Sequence, residues 1–365
     1  MGLFSWLTKG DSPRAESPAE EPQTAVETVE ELGEALSAAN GAVRVDATRI
    51  LLERWRGGDA AAAEALVSRL SELLQDDEPQ VRIAALSAVR MMRKPENLAA
   101  HQSAILALLA DRVAQVRSAA VWTAARLRAP EARQQVRALL QSTEEPMRFA
   151  AACALSDQRD SAALPELTAA LREEHRRQEA LSAILSLGDP AAVPALTELF
   201  EDESLGEFDR TMTAAALARL GDSRGAAYLV ERISSDGDDR PIAAEWAGRL
   251  HIGDATAVLE ELADAAGDPA RGAALRALGR LGASGAEDRL LAVARSEHEA
   301  EDLRMDAAEG LAEVGSARAL ETLRELARSE GELGVLCAEL LAEIAANAAE
   351  AAASGTDSQS TPSAG

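Results

Sequence analysis

Eight arginines, Arg82, Arg117, Arg148, Arg177, Arg210, Arg240, Arg271 and Arg304, stand at nearly even intervals along the chain. A guanidinium is permanently charged, planar and forked. Its chemistry is bidentate pairing with carboxylates or capture of carbonyls at helix ends, and it does not transfer protons. The other reactive side chains are sparse. Of the four histidines, His101, His175, His251 and His298, only the last precedes a glutamate, Glu299, and it reads as a loop residue. The two cysteines, Cys153 and Cys337, lie far apart with no Cys-x-x-Cys spacing, which fits a reducing cytoplasm. Carboxylates are abundant, yet no isolated acid–base pair and no nucleophile beside a base stands out.

The elements that hold the arginines follow from what comes after each of them. Three, four and seven residues on stand mostly small apolar side chains, and at ten usually Leu, Val or Ile, as in Arg177 to Leu187, Arg271 to Leu281 and Arg304 to Val314. This is the apolar period of a helix. With a copy led by Gly334, the phrase occurs nine times from 82 to 334, which is 252 residues over eight steps and a period of 31.5. A fixed period in this range signals a stack of supersecondary units. A second apolar-periodic segment precedes each phrase, so every period is a helix pair. Gly188-Asp189-Pro190 punctuates one junction, with Gly ending a helix at positive φ, Asp capping the next and Pro opening it. The positions three, four and seven after each Arg, such as Ala85, Leu86 and Val89, read as core. Each Arg of the column reads as one rung of an internal ladder, paired with a carboxylate or helix end of a neighbouring repeat.

The totals agree with an all-α chain, since aromatics are 2% of the sequence and Ala, the strongest helix former, dominates its apolar part. The net charge of −25 argues against capture of nucleic-acid phosphate. No apolar run reaches the length of a membrane span, so the chain reads as unexported and cytoplasmic. Residues 1–40 form a mostly disordered acidic leader, with Lys9 and Arg14 against eight acids for a net of −6. Its tip carries Leu3, Phe4, Trp6 and Leu7, which could touch a membrane surface weakly. Residues 41–58 read as an N-terminal cap helix, because Arg44 is followed at the tenth position by the charged Arg54. Residues 59–346 are the repeats, and 347–365 a disordered tail.

With Asp111-Arg-Val-Ala-Gln-Val-Arg117, Asp268-Pro-Ala-Arg271 and the Ala-Leu-x-x-Leu-Gly-Asp phrase at Ala216 to Asp222, the chain resembles the HEAT-repeat superfamily, in its short bilin-lyase-like (PBS lyase) branch. The resemblance implies a right-handed α-solenoid of about nine HEAT-like helix pairs, with the Arg-led helices lining its concave side. It also implies a protein that binds other proteins. On such a groove Arg126, Arg219, Arg249 and Arg280, nine residues after their leading arginines, and Arg276 nearby would form a basic stripe. Trp122 and Phe149 would sit outward or half-buried beside it, a pairing typical of interface hot spots. One enzyme of that superfamily, deoxyhypusine hydroxylase, holds two irons with several His-Glu pairs just inside its helices. The matching positions here carry Ile83-Ala84, Ser118-Ala119, Gly272-Ala273 and Met305-Asp306, so neither a metal nor another cofactor is expected. The expectation is therefore a non-enzymatic scaffold with protein partners along its concave surface. The alternatives are a bilin-lyase-like or other modification-assisting subunit, and a peripheral membrane adaptor tethered by residues 3–7.

Overall fold

The computed structural model describes residues 28–92, 96–127 and 129–356. The tip residues 3–7, most of the leader and residues 357–365 lie outside it. Among the described residues every regular element is a helix, and these fall into two compact units that meet in sequence between Ala191 and Ala192.

In the first unit a short helix, α1 (Val29–Ala35), precedes α2 (Gly41–Arg56) and α3 (Ala60–Ser68). Thr28 and Glu31 close a capping box on α1, and Asn40 and Asp59 cap the next two. The Arg-led phrases form α4 (Pro79–Met91), α5 (Ala114–Ala125), α6 (Glu145–Ser156) and α7 (Glu174–Leu187). In the second unit they form α8 (Glu207–Arg219), α9 (Arg240–Arg249), α10 (Arg271–Leu281), α11 (Glu301–Val314) and, from Gly334, α12 (Glu332–Thr356). Within each unit successive Arg-led helices pack side by side, and the intervening helices pack against them. Repetition every 31 or so residues, and not long-range pairing, therefore generates the architecture.

The third, fourth and seventh positions of the phrase are the core. Ala85, Leu86 and Val89 on α4, and Ala274, Leu275 and Leu278 on α10, are fully buried. Each buried Leu contributes about 1.5–3 kcal/mol. Small residues set how closely the rows approach. A Cβ added at Gly279 of α10 would stand 2.5 Å from the Gly310 carbonyl oxygen of α11. At the junction read from sequence, Gly188 has φ 66° and the Asp189 carboxylate accepts from the Ala191 N–H at 2.9 Å. The last helix continues to Thr356, past the boundary at 346, where half of residues 347–356 are Ala, the strongest helix former.

Candidate functional site

At the N-terminal ends of the Arg-led helices the arginines turn back into the loops before them. Arg82, itself buried, donates to the carbonyls of Asp76 at 2.7 Å and Asp77 at 3.0 Å, and to Asp111 of the next loop at 2.9 Å. Arg117 bonds the Asp111 carbonyl and Glu144, and Arg148 the Ser142 carbonyl and Glu166. Arg177 donates to the Leu171 carbonyl. In the second unit Arg210 holds the carbonyls of Phe200 and Asp202. Arg240 holds the Ile233 carbonyl and Asp268, Arg271 the Ala263 carbonyl and Glu299, and Arg304 the Ala294 carbonyl. Burial pushes the Asp111 carboxyl up, but the Arg82 bond and the Val113 N–H outweigh it and hold it below its ordinary value. Such guanidinium groups are engaged by the fold at both ends. The cleft of about 650 Å³ beside Asp76, Arg82 and Asp111 is lined by these same rungs.

The rest of the Arg-led helices carry two further columns, five and nine residues after the Arg. In the second unit they read Glu245 and Arg249 on α9, Arg276 and Arg280 on α10, Glu309 and Glu313 on α11. These charges form one network. Glu245 is 4% exposed and accepts from Arg280 at 2.6 Å and Arg249 at 2.8 Å, with Arg276 at 3.5 Å. Arg280 also bonds Glu313, and Arg276 pairs with Asp306 and Glu309. Burial raises the Glu245 carboxyl, yet Arg280, Arg276 and Arg249 together hold it below its usual value. Asp306 goes the other way. Burial pushes it up to about 6, with Glu309 and Asp302 adding to the rise against Arg276. Three of the five stripe arginines are thus partnered within their own unit, whereas Arg219 is exposed at the end of α8.

Glu245, the centre of this network, is the residue that reading one helix at a time misses. Its signal is an acid in the fifth-position column one period before Arg276, where opposite charges on adjacent helices meet.

In the first unit the same columns are short and weakly charged: Ser87 and Met91, Trp122 and Arg126, Cys153 and Asp157, Ser182 and Ser186. Trp122 is half-buried and Arg126, one turn further along α5, is exposed with one long bond, 3.4 Å, to the Met92 carbonyl. Phe149 does not face outward. It is 6% exposed, because Arg176 of α7 lies over its ring at 5.1 Å while pairing with Glu145. Trp246 is likewise buried, its indole N–H directed at the Met212 sulfur and Arg249 over its ring.

The two cysteines, Cys153 and Cys337, lie inside the fold. Both are buried and unbridged, and desolvation raises the Cys153 thiol strongly and that of Cys337 to about 11. Among the described residues no group of three or more His, Cys, Asp or Glu is arranged to hold a metal ion. No helix among them is long and apolar enough to cross a membrane.

The family model described as HEAT repeats matches residues 102–184 and 255–336, and that described as the PBS lyase HEAT-like repeat matches residues 176–202. No curated protein matches the chain. Several solved structures are similar. Human deoxyhypusine hydroxylase in complex with glycerol is 20% identical, with 66% of this chain and 95% of that one covered and a TM-score of 0.29. The CpcE–CpcF complex of phycocyanin lyase from Nostoc sp. PCC7120 is 17% identical, covering 91% and 99% with a TM-score of 0.33. The Kap95:Nup1 complex is 13% identical, covering 86% and 56% with a TM-score of 0.47.

Proposed function

The chain belongs to the HEAT-repeat superfamily, and from that premise we propose that it is a non-enzymatic scaffold that holds a protein partner against its Arg-led helices, with the first unit's Trp122 and Arg126 as the anchor. The observation that carries this reading is the contrast between the units. Arg249, Arg276 and Arg280 are bound to internal carboxylates, so their charge is already satisfied. Arg126 is exposed one helical turn from a half-exposed Trp, and an aromatic beside an arginine is the usual composition of an interface hot spot. Arg219 offers a lesser contact in the second unit.

The test is co-purification from native extract, read by mass spectrometry, with wild type, Trp122→Ala/Arg126→Glu, and Arg280→Ala as a control inside the internal network. A partner present with wild type and the control but lost from the double variant supports the reading. A partner retained by all three removes Trp122 and Arg126 from the site. A second reading, a subunit assisting chromophore attachment, is favoured by the match of residues 176–202 to the PBS lyase HEAT-like repeat. Co-expression with a bilin would then yield a coloured protein, and a colourless one would end that reading.

A further inference from the structure

The first unit is electrically polarised along its helices. The ends where the Arg-led helices begin carry the acidic loops and their paired arginines, described above. The opposite edge carries Arg56 at the end of α2, Arg90 at the end of α4, Arg126 just after α5 and Arg159 just after α6, all four exposed. Among the described residues none of these four is joined to a carboxylate, in contrast to Arg44, Arg82, Arg117, Arg148 and Arg176 of the same unit. Two bonds place the last three of these ends side by side, and α2 packs against α4. Arg126 reaches the Met92 carbonyl at the end of α4, and Gln158 donates to the Ala125 carbonyl at the end of α5 at 2.6 Å. Glu53 and Asp157 are the exposed acids closest to this row in sequence, and Glu53 is paired with Arg49.

Arg159 adds an independent observation. It stands eleven residues after Arg148, at the helix-ending position with left-handed backbone. The equivalent positions in other repeats are Gly188, Gly221, Gly282, Gly315 and His251, all with positive φ. Arg159 adopts φ 53° there. A residue with a Cβ is disfavoured in that region, and among the described residues none bonds the Arg159 side chain, which stands exposed.

A row of unpaired cations on a chain of net charge −25 calls for an anionic occupant, and the chain supplies one. Residues 15–27 contain Glu16, Glu20, Glu21 and Glu27 with no Lys or Arg. They enter the first unit at Thr28, the cap of α1. This helix packs on α2 and α3. From Thr28 back to Glu16 is about 40 Å of extended chain at roughly 3.3–3.6 Å per residue. Three interhelix steps of about 8–10 Å separate Arg56 from Arg159. The reach matches the row.

We propose that the acidic segment 15–27 docks intramolecularly along Arg56, Arg90, Arg126 and Arg159. This contact stands independently of the scaffold reading, although an occupant at Arg126 would also limit access to the anchor assigned there. Each exposed pair changes the bound-to-free ratio of the segment by a factor of about 1.5–5, so several together, acting at the high effective concentration of a short tether, hold it at low salt and release it at high salt.

The test uses the full chain with Ser17→Cys carrying a nitroxide, the native cysteines being buried. Paramagnetic broadening of backbone amide signals is measured at low and at 0.5 M salt. The expected result is broadening at Arg90, Arg126 and Arg159 at low salt that disappears at high salt. It disappears also in Arg90→Glu/Arg126→Glu/Arg159→Gly, and returns when Glu16, Glu20 and Glu21 are changed to Arg in that background. Restoration by the reversed pair shows that the variant is folded. Broadening confined to residues beside α1, or broadening at the row that survives either salt or the triple variant, overturns the proposal. Because no partner protein enters the experiment, its failure leaves the scaffold reading to its own test.

Discussion

Replacing Glu245 by Gln tests whether the charge network of the second unit is a structural device. The two side chains have the same size, so the change removes charge without leaving a cavity. Glu245 is 4% exposed and lies within 2.6 to 3.5 Å of three guanidinium groups. Arg280 would keep Glu313, and Arg276 would keep Asp306 and Glu309, but Arg249 would be left with the Trp246 ring alone. Breaking a buried ion pair by removing one partner costs about 3–5 kcal/mol, and the partly exposed arginines put this case at the lower end, about 3 kcal/mol. For a body of this size that is a fall in Tm of about 6–12 °C. The pH dependence supplies a second criterion. The Glu245 carboxyl is held below its unfolded value, so its contribution is present above that value and is lost as pH falls through the folded one. Thermal melts of wild type and Glu245→Gln should therefore differ by a constant amount from pH 7 to 5 and converge in stronger acid. A variant melting within about 2 °C of wild type at pH 7, or a gap that stays open in acid, would refute the assignment of Glu245 as the anion that organises the three arginines.

Asp306 behaves in the opposite sense: its folded value of about 6 lies above the ordinary aspartate range, so stability is gained as pH falls from 7 and is lost as pH rises through 6. Asp306→Asn should flatten the Tm profile between pH 7 and 5 and raise stability at pH 7 by on the order of 2 kcal/mol, read from melts across that range. Gly279→Ala would bring a methyl to 2.5 Å from the Gly310 carbonyl oxygen and 2.8 Å from its Cα, so urea denaturation should show a loss of about 1–3 kcal/mol. Arg159→Gly relieves the left-handed backbone at φ 53° and should stabilise by about 1 kcal/mol in the same assay, independently of any effect on the acidic segment.

What could be read from the sequence was whatever repeats within one helix pair. Spacing of apolar residues, the Gly-Asp-Pro junction and the arginine column are local, and the helices, caps and core follow from them. What escaped was set one period away. Arg44 looked like the start of a cap because Arg54 occupies the tenth position, yet its guanidinium bonds Asp76 at 2.7 Å and the Ala38 carbonyl at 2.9 Å, as the later column does with its loops. That bracing needs an arginine and an acid about one repeat later, and the apolar residue at ten plays no part in it. Phe149 looked outward on α6 until Arg176 of α7 closed over it.

The basic stripe has the same explanation, and it is the one that matters for function. On a single helix Arg249, Arg276, Arg280 and Arg126 are indistinguishable, an arginine on the face away from the core. Their availability is decided by the adjacent repeats. Arg276 and Arg280 stand between a helix bearing Glu245 and one bearing Glu309 and Glu313, so their charge is spent inside the unit. Arg126 stands between Met91 and Asp157 in its own column and remains exposed. In a repeat protein a cation is therefore a candidate contact only where the same column, one period before and one period after, does not supply an anion that reaches it. By that criterion Arg126 in the first unit and Arg219 in the second qualify, and under the scaffold reading proposed above it is Arg126, one turn from Trp122, that would anchor a partner.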